Sequence, residues 1–215
     1  HDEFLCSIIV NVLKHTLADN WSQVRMAGSV LCRKFLLQQQ QQHSLMEEED
    51  TSSYWPILLP RMCLNRFYLA QGVKLYSLDT WKMVFNIHES GLQKVAQYAG
   101  AICRYYMKMC DADNHVVREA ACQAVAELAN KLGNHPQHST ALSPYVSMLL
   151  QALIMCFHDE SWPVRDEACL ACGTFCLAYP VESKPELPTL MERWKEHLTD
   201  QIWSVREDAA IALSE

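Results

Sequence analysis

Three cysteines within eight residues, Cys169-x-x-Cys172-x-x-x-Cys176, are the side chains whose spacing best suits chemistry. Thiolates that close together can ligate zinc or an iron–sulfur cluster. His135-x-x-His138, with His158, offers imidazoles for a metal. The first two flank Pro136 in a polar stretch with no Cys or acid at ligand spacing, so solvated loop histidines are the simpler reading. No HExxH, GxSxG or kinase signature occurs, and the six glycines form no phosphate-cradling loop. Acids are abundant, but no pair of them stands out as a carboxylate active site. The expectation is no catalysis and no cofactor.

Whether the three thiols are ligands or core depends on the elements that carry them. One short pattern recurs: Asp19-Asn-Trp-Ser-Gln-Val24-Arg25, Asp113-Asn-His-Val-Val117-Arg118, Asp159-Glu-Ser-Trp-Pro-Val164-Arg165 and Asp200-Gln-Ile-Trp-Ser-Val205-Arg206. Small residues follow each copy. The last gaps between Val-Arg pairs are 47 and 41 residues, and the first is 93, about double. A divergent copy therefore lies between, at Val73-Lys74. Self-similarity at such a period marks stacked helical repeats.

Each copy reads as two helices. The stretch before the Asp is apolar at helical spacing, as in Leu5, Ile8, Ile9, Val12, Leu13 and in Val146, Leu149, Leu150, Leu153, Ile154. Asn114 and Ser161 are N-cap residues for the second helix, and Pro163 fits its first turn. Small or apolar residues then fall three, four, seven and eleven positions after the Arg: Ala121, Cys122, Val125, Ala129 in the third copy and Ala168, Cys169, Cys172, Cys176 in the fourth. This alignment argues against a thiolate site. Cys169 and Cys122 share the register of Ala210, and Cys176 that of Leu36 and Ala129. Positions filled by Ala, Val and Leu are core positions, and a free Cys behaves there as a small hydrophobe.

The predicted helical pairs are 2–17 with 21–37, 54–70 with 71–87, 88–110 with 114–132, 142–157 with 161–178, and 186–198 with 202–214. The repeats run 1–37, 54–87, 88–132, 142–178 and 186–215. Between the first two, 38–53 is a glutamine run followed by Glu47-Glu-Glu-Asp50. This reads as a mobile low-complexity insertion whose first residues can extend the preceding helix.

The Asp, the Val-Arg pair and the following Ala resemble the HEAT repeat, a helical hairpin of about 40–47 residues. The resemblance covers nearly the whole chain and implies an all-α, right-handed α-α superhelix of about five hairpins. It implies a hydrogen-bonded ladder in which Asp19, Asp159 and Asp200 pair with Arg25, Arg165 and Arg206 or their neighbours. Arg118 belongs to a copy shifted by one residue. It also implies partners along an extended surface, including flanking repeats of the same chain, because the sequence reads as a piece of a longer array.

Composition narrows this further. No run of eighteen apolar residues suggests a membrane span, and no signal-peptide pattern opens the chain. Ten cysteines inside helical patterns suit reduced thiols and a cytoplasmic setting, with nuclear or ciliary ones compatible. Asn20-Trp-Ser22 matches a glycosylation acceptor by chance on that reading. Net charge is −7, which disfavours nucleic acid. Charge is uneven: 54–110 carries seven basic residues against Asp79 and Glu89 and holds ten of the twenty aromatics, while 111–215 carries seven basic and sixteen acidic residues. Those aromatics either fill a bulkier core or form a basic, aromatic patch for an acidic segment of a protein partner. For the patch the expected contacts are Arg66, Lys74, Tyr76, Trp81 and Lys82. Trp21, Trp162 and Trp203 recur just before Val-Arg and are expected to pack against the adjacent repeat, the sharper alternative being an exposed ligand edge. The leading function is a non-enzymatic scaffold or adaptor subunit of a multiprotein assembly. A transport- or chaperone-type receptor with transient cargo is the first alternative. An enzyme or metal module on Cys169, Cys172 and Cys176 is the least supported.

Overall fold

The computed structural model describes residues 2–46 and 53–214, with side chains throughout except at 2, 3, 43–46 and 88. The described residues form eleven α-helices and two short 3-10 turns, with no strand among them. Packing divides them into two compact units, 1–102 and 103–215. In the first, α1 (Asp2–Thr16) packs on α2 (Ser22–Met46), α3 (Trp55–Asn65) on α4 (Gln71–Val84), and α2 on α4; α5 (His88–Gln97) follows. The division falls inside α6 (Ala99–Cys110). The second unit continues with α7 (His115–Gly133), the 3-10 turns Ser139–Ala141 and Ser143–Tyr145, α8 (Val146–Cys156), α9 (Trp162–Ala178), α10 (Leu187–His197) and α11 (Trp203–Ser214).

The helical pairs stand where the periodicity puts them, because each needs only one apolar stripe to dock on its neighbour. Val146, Leu149, Leu150 and Leu153 of α8 are all fully buried. Burying each leucine contributes about 1.5–3 kcal/mol. Small side chains let second helices approach closely. Ala121, Cys122, Val125 and Ala129 of α7 and Ala168, Cys169 and Cys172 of α9 are all buried along the α7–α9 contact. Gly28 shows how tight such a crossing is: a Cβ there would lie 2.6 Å from Thr16 Oγ1 and 2.8 Å from Thr16 Cβ. Asn114 caps α7 by accepting from Val116 N at 3.0 Å. Ser161 holds the N-cap position of α9 without a side-chain cap; Asp159 takes the role and accepts from Ser161 N at 2.9 Å. His197 stitches α10 to the end of α8, its ring nitrogens each 2.7 Å from the carbonyls of Arg193 and Phe157.

Four expectations need correction. First, α2 does not stop near residue 37 but runs to Met46. Glutamine is a good helix former, and Gln40 Nε2 donates to Val84 O at 2.8 Å, so the start of the run docks on α4. The acidic remainder, 47–52, lies outside the described residues. Second, the helix expected over 88–110 breaks at Tyr98, whose ψ of 19° leaves the helical range. Third, Ser143–Tyr145 is a 3-10 turn around Pro144, and α8 begins only at Val146. The stretch Ser139–Cys156 is long and apolar enough to cross a membrane by composition, yet its α-helical part is eleven residues with a buried apolar stripe. That is well short of the roughly 20 a span needs. Fourth, Leu5, Ile8 and Val12 of α1 are exposed, together with Phe4; among the described residues, only Val10 and Leu13 of this helix, and Leu17 just past its end, enter the core.

Candidate functional site

In the second unit the repeated Asp and Arg make a ladder that runs forward from one repeat to the next. Arg118 donates through Nε and Nη2 to Asp159 Oδ2 and Oδ1 at 2.5 and 2.8 Å. Arg165 does the same to Asp200, at 2.9 and 3.1 Å. The remaining Nη1 of each arginine returns to its own repeat: Arg118 to Ala112 O at 2.7 Å, Arg165 to Asp159 O at 2.8 Å, Arg206 to Asp200 O at 2.7 Å. Asp159 and Asp200 therefore serve twice: each carboxylate holds the previous arginine and accepts the N–H two residues on, at Ser161 and Ile202, while Asp19 accepts only in the second way, from Trp21 N. Burial pushes the Asp159 and Asp200 carboxyls up, but hydrogen bonds from Arg118 and Arg165 and from those N–H groups outweigh it and hold both below the usual range.

In the first unit the same rung is built from other chemistry. Arg25, 1% exposed, donates through Nε to Asp19 O at 2.9 Å and through Nη1 to Asn65 Oδ1 at 2.7 Å. Its guanidinium lies over the Tyr68 ring, 4.1 Å from the centroid. Tyr68 stands six residues before Lys74, the offset at which the other repeats carry Asp or Ala112. A ring face and an amide thus replace the carboxylate. The sequence held a signal for Tyr68 in that offset and none for Asn65, which reaches Arg25 from three residues earlier.

The residues expected to form a basic, aromatic patch are spread between core and surface. Arg66 is buried, with its guanidinium 4.4 Å from the Trp81 ring centroid. Trp81 is half-buried against Phe85, centroids 4.5 Å apart. Tyr76 lies under the guanidinium of Arg33, 3.5 Å from its centroid, and Arg33 is fixed by Asp79 at 3.0 Å and by Thr80 at 2.8 Å. Lys74 is half-buried and Lys82 exposed. None of the ten aromatics between 54 and 110 is exposed, so they serve the core of bulkier repeats. Those that reach the surface are the tryptophans expected to pack: Trp21, Trp162 and Trp203 are 74%, 46% and 68% exposed. Trp162 and Trp203 are the first residues of α9 and α11.

The cysteines rearrange the expectation about thiols. Cys169 and Cys172 are buried and Cys176 half-buried, as core positions. Burial pushes the Cys169 and Cys172 thiols up, which suits inert packing. A different trio converges: Cys110 of α6, Cys122 of α7 and Cys156 of α8, all buried, with their sulfurs within 4.8 Å of one another. Hydrogen bonding with the Cys110 and Cys122 side chains holds the Cys156 thiol down, at about 5, against its burial. Spacings of 12 and 34 residues carry no motif, so sequence reading passed over them. His135 and His138 stack on each other at 4.5 Å, while His158 stands beside His197. On the acidic side, burial and then Asp166 push the Asp208 carboxyl up to about 7.

Comparison with known proteins agrees with this architecture. The HEAT repeat family model matches residues 149–179, which hold most of α8 and all of α9. Among curated proteins none matches the sequence. Among solved structures, an engineered protein superposes with a TM-score of 0.55 at 13% identity, over 96% of this chain and 78% of its own. A second engineered protein gives 0.53 at 14% identity, over 95% of this chain and 47% of its own. Computationally designed armadillo repeat proteins for modular peptide recognition give 0.54 at 14% identity, over 98% of this chain and 83% of theirs. The chain thus matches a HEAT repeat at 149–179, and its helical-repeat fold is shared along nearly all its residues by designed armadillo repeat proteins.

Proposed function

We propose that this chain is a non-enzymatic protein-binding scaffold, an adaptor subunit that organises a multiprotein assembly in the cytoplasm. The observation that carries it is the exposure of Trp162 and Trp203 at the same place in successive repeats. A tryptophan left in water is costly to keep and is among the residues that dominate binding energy when a partner covers it. Met155 and Leu198, at or just past the ends of the preceding helices, are exposed as well. The exposed Phe4, Leu5, Ile8 and Val12 of α1 offer a second apolar face, suited to a further helical pair or a partner helix. Lys74 and Lys82 remain candidates for an acidic segment. A structural neighbour designed for modular peptide recognition has this fold, which fits the same reading.

The test compares the protein with two double variants, Trp162→Ala/Trp203→Ala and Lys74→Glu/Lys82→Glu, as bait in cell extract, with circular dichroism to verify folding. A fixed set of proteins retained through high salt by the parent and lost by the tryptophan variant supports the scaffold reading and this edge. Loss in the lysine variant instead moves the contact to the basic segment. A broad set that leaves as salt rises favours a transient receptor. Capture unchanged in both folded variants overturns both surfaces.

A further inference from the structure

We propose that Cys110, Cys122 and Cys156 form a three-thiolate site for a thiophilic d10 cation, with Cu+ the best-fitting ion. The site is independent of the scaffold reading. Its donors come from three separate helices, α6, α7 and α8, so tertiary packing and not a sequence motif assembles it. Their sulfurs lie within 4.8 Å of one another and none is in a disulfide. An ion bound in the plane of three sulfurs at about 2.3 Å sets them roughly 4 Å apart. Small side-chain rotations close that difference.

The donor set selects the ion. The group is sulfur only, with no imidazole or carboxylate in it among the described residues. The nearby Asp159 carboxylate is taken by Arg118 and by Ser161 N. Zn2+ would lack the fourth protein ligand of a closed structural site. A soft monovalent cation is matched by thiolates alone. Access is in place. A cleft of about 340 Å³ is lined by Cys110 and Cys156, by the thioethers of Met107 and Met155, and by Arg118. Methionine sulfur is a second soft donor on the way in. Each thiol that binds as thiolate releases its proton to solvent, and three thiolates with Cu+ carry two negative charges in a cleft that Arg118 lines together with Asp111, Asp113 and Asp159.

Two variants make a matched pair. Cys122 and Cys169 both lie four residues after their repeat's arginine, where the last repeat has Ala210. Cys122→Ala removes a ligand; Cys169→Ala makes the same change outside the trio. The full chain is titrated anaerobically with Cu+ in the presence of a chromogenic Cu+ chelator, following the near-ultraviolet thiolate-to-copper absorption. The expected result is one Cu+ per chain, retained by Cys169→Ala and weakened at least about 100-fold in Cys122→Ala. Cys156→Ser, expected to lose the ion likewise, serves if Cys122→Ala does not fold. Absence of stoichiometric uptake, equal affinity in the folded ligand variants, or preference for Zn2+ over Cu+ overturns the proposal and leaves three thiols packed as core.

Discussion

Asp159 is where removing one side chain should be felt most clearly, because it closes a rung and starts a helix. It takes two hydrogen bonds from Arg118, and the two side chains are only 14% and 8% exposed. It also accepts from Ser161 N at the head of α9. Breaking a fully buried pair by removing one partner costs about 3–5 kcal/mol. Partial solvent access and the carbonyl bonds that Arg118 keeps to Ala112 and Asp113 reduce this, so Asp159→Ala should cost about 2–3 kcal/mol. Asp159→Asn keeps an acceptor for Ser161 N but loses the charge and one arginine bond, and should cost about 1–2 kcal/mol. A double-mutant cycle with Arg118→Ala should return a coupling of about 1–2 kcal/mol. The pH dependence has a definite sign. The folded-state carboxyl is held below its unfolded value, so its stabilisation is complete above about pH 4 and disappears as pH falls through the folded value. The parent should therefore exceed Asp159→Asn in stability at pH 7 and converge with it in acid. Urea unfolding at several pH values, read by hydrogen exchange in peptides from 146–178, measures both. Equal costs below about 0.5 kcal/mol for the two variants, or a gap that does not change with pH, would refute the ladder as a source of stability.

Gly28→Ala places a methyl 2.6 Å from Thr16 Oγ1 and 2.8 Å from its Cβ, so α1 and α2 must separate. Thermal unfolding should register a loss of about 1–3 kcal/mol. Asn65→Ala removes both the acceptor for Arg25 Nη1 and the donor to Leu17 O, and should cost about 2–3 kcal/mol in denaturant titrations. A cost near zero would mean that Arg25 is held in place without Asn65. Asp208 works in the opposite sense to Asp159. Its folded pKa is raised to about 7, so the folded state keeps a proton that the unfolded chain has lost, and stability drops as pH climbs from about 4 to 7. Asp208→Asn should be the more stable form at pH 8, by about 1 kcal/mol or less because the group is only half-buried, and the gap should close by pH 4.

The helical pairs were legible because a stacked repeat is local: each helix needs its own stripe, cap and turn, and these recur at one spacing. The ladder residues were legible for the same reason, although its direction was not. That Arg118 reaches forward to Asp159 while bonding its own repeat through a carbonyl depends on how far α7 stands from the start of α9. The glutamine run was legible as a possible extension of α2 but its docking was not, because composition reports solubility and not docking, and Gln40 has a carbonyl of α4 to bind. The aromatics of 54–110 looked equally fit for core or patch, since a ring pattern on one helix does not say what lies opposite. The tryptophans looked like packing residues because nothing in a repeat motif shows whether its turn is covered.

By itself, then, the sequence determined the fold class, the limits of most helices, and the core identity of Cys169 and Cys172, all of which follow from periodicity within a few turns of chain. Tertiary structure alone decided which polar group completes each rung, which tryptophans face water, and that Cys110, Cys122 and Cys156 meet. Those outcomes depend on distances between residues some 40 positions apart, which are set by how closely neighbouring helices cross. A single glycine opposite a threonine changes that crossing, and no local pattern records it.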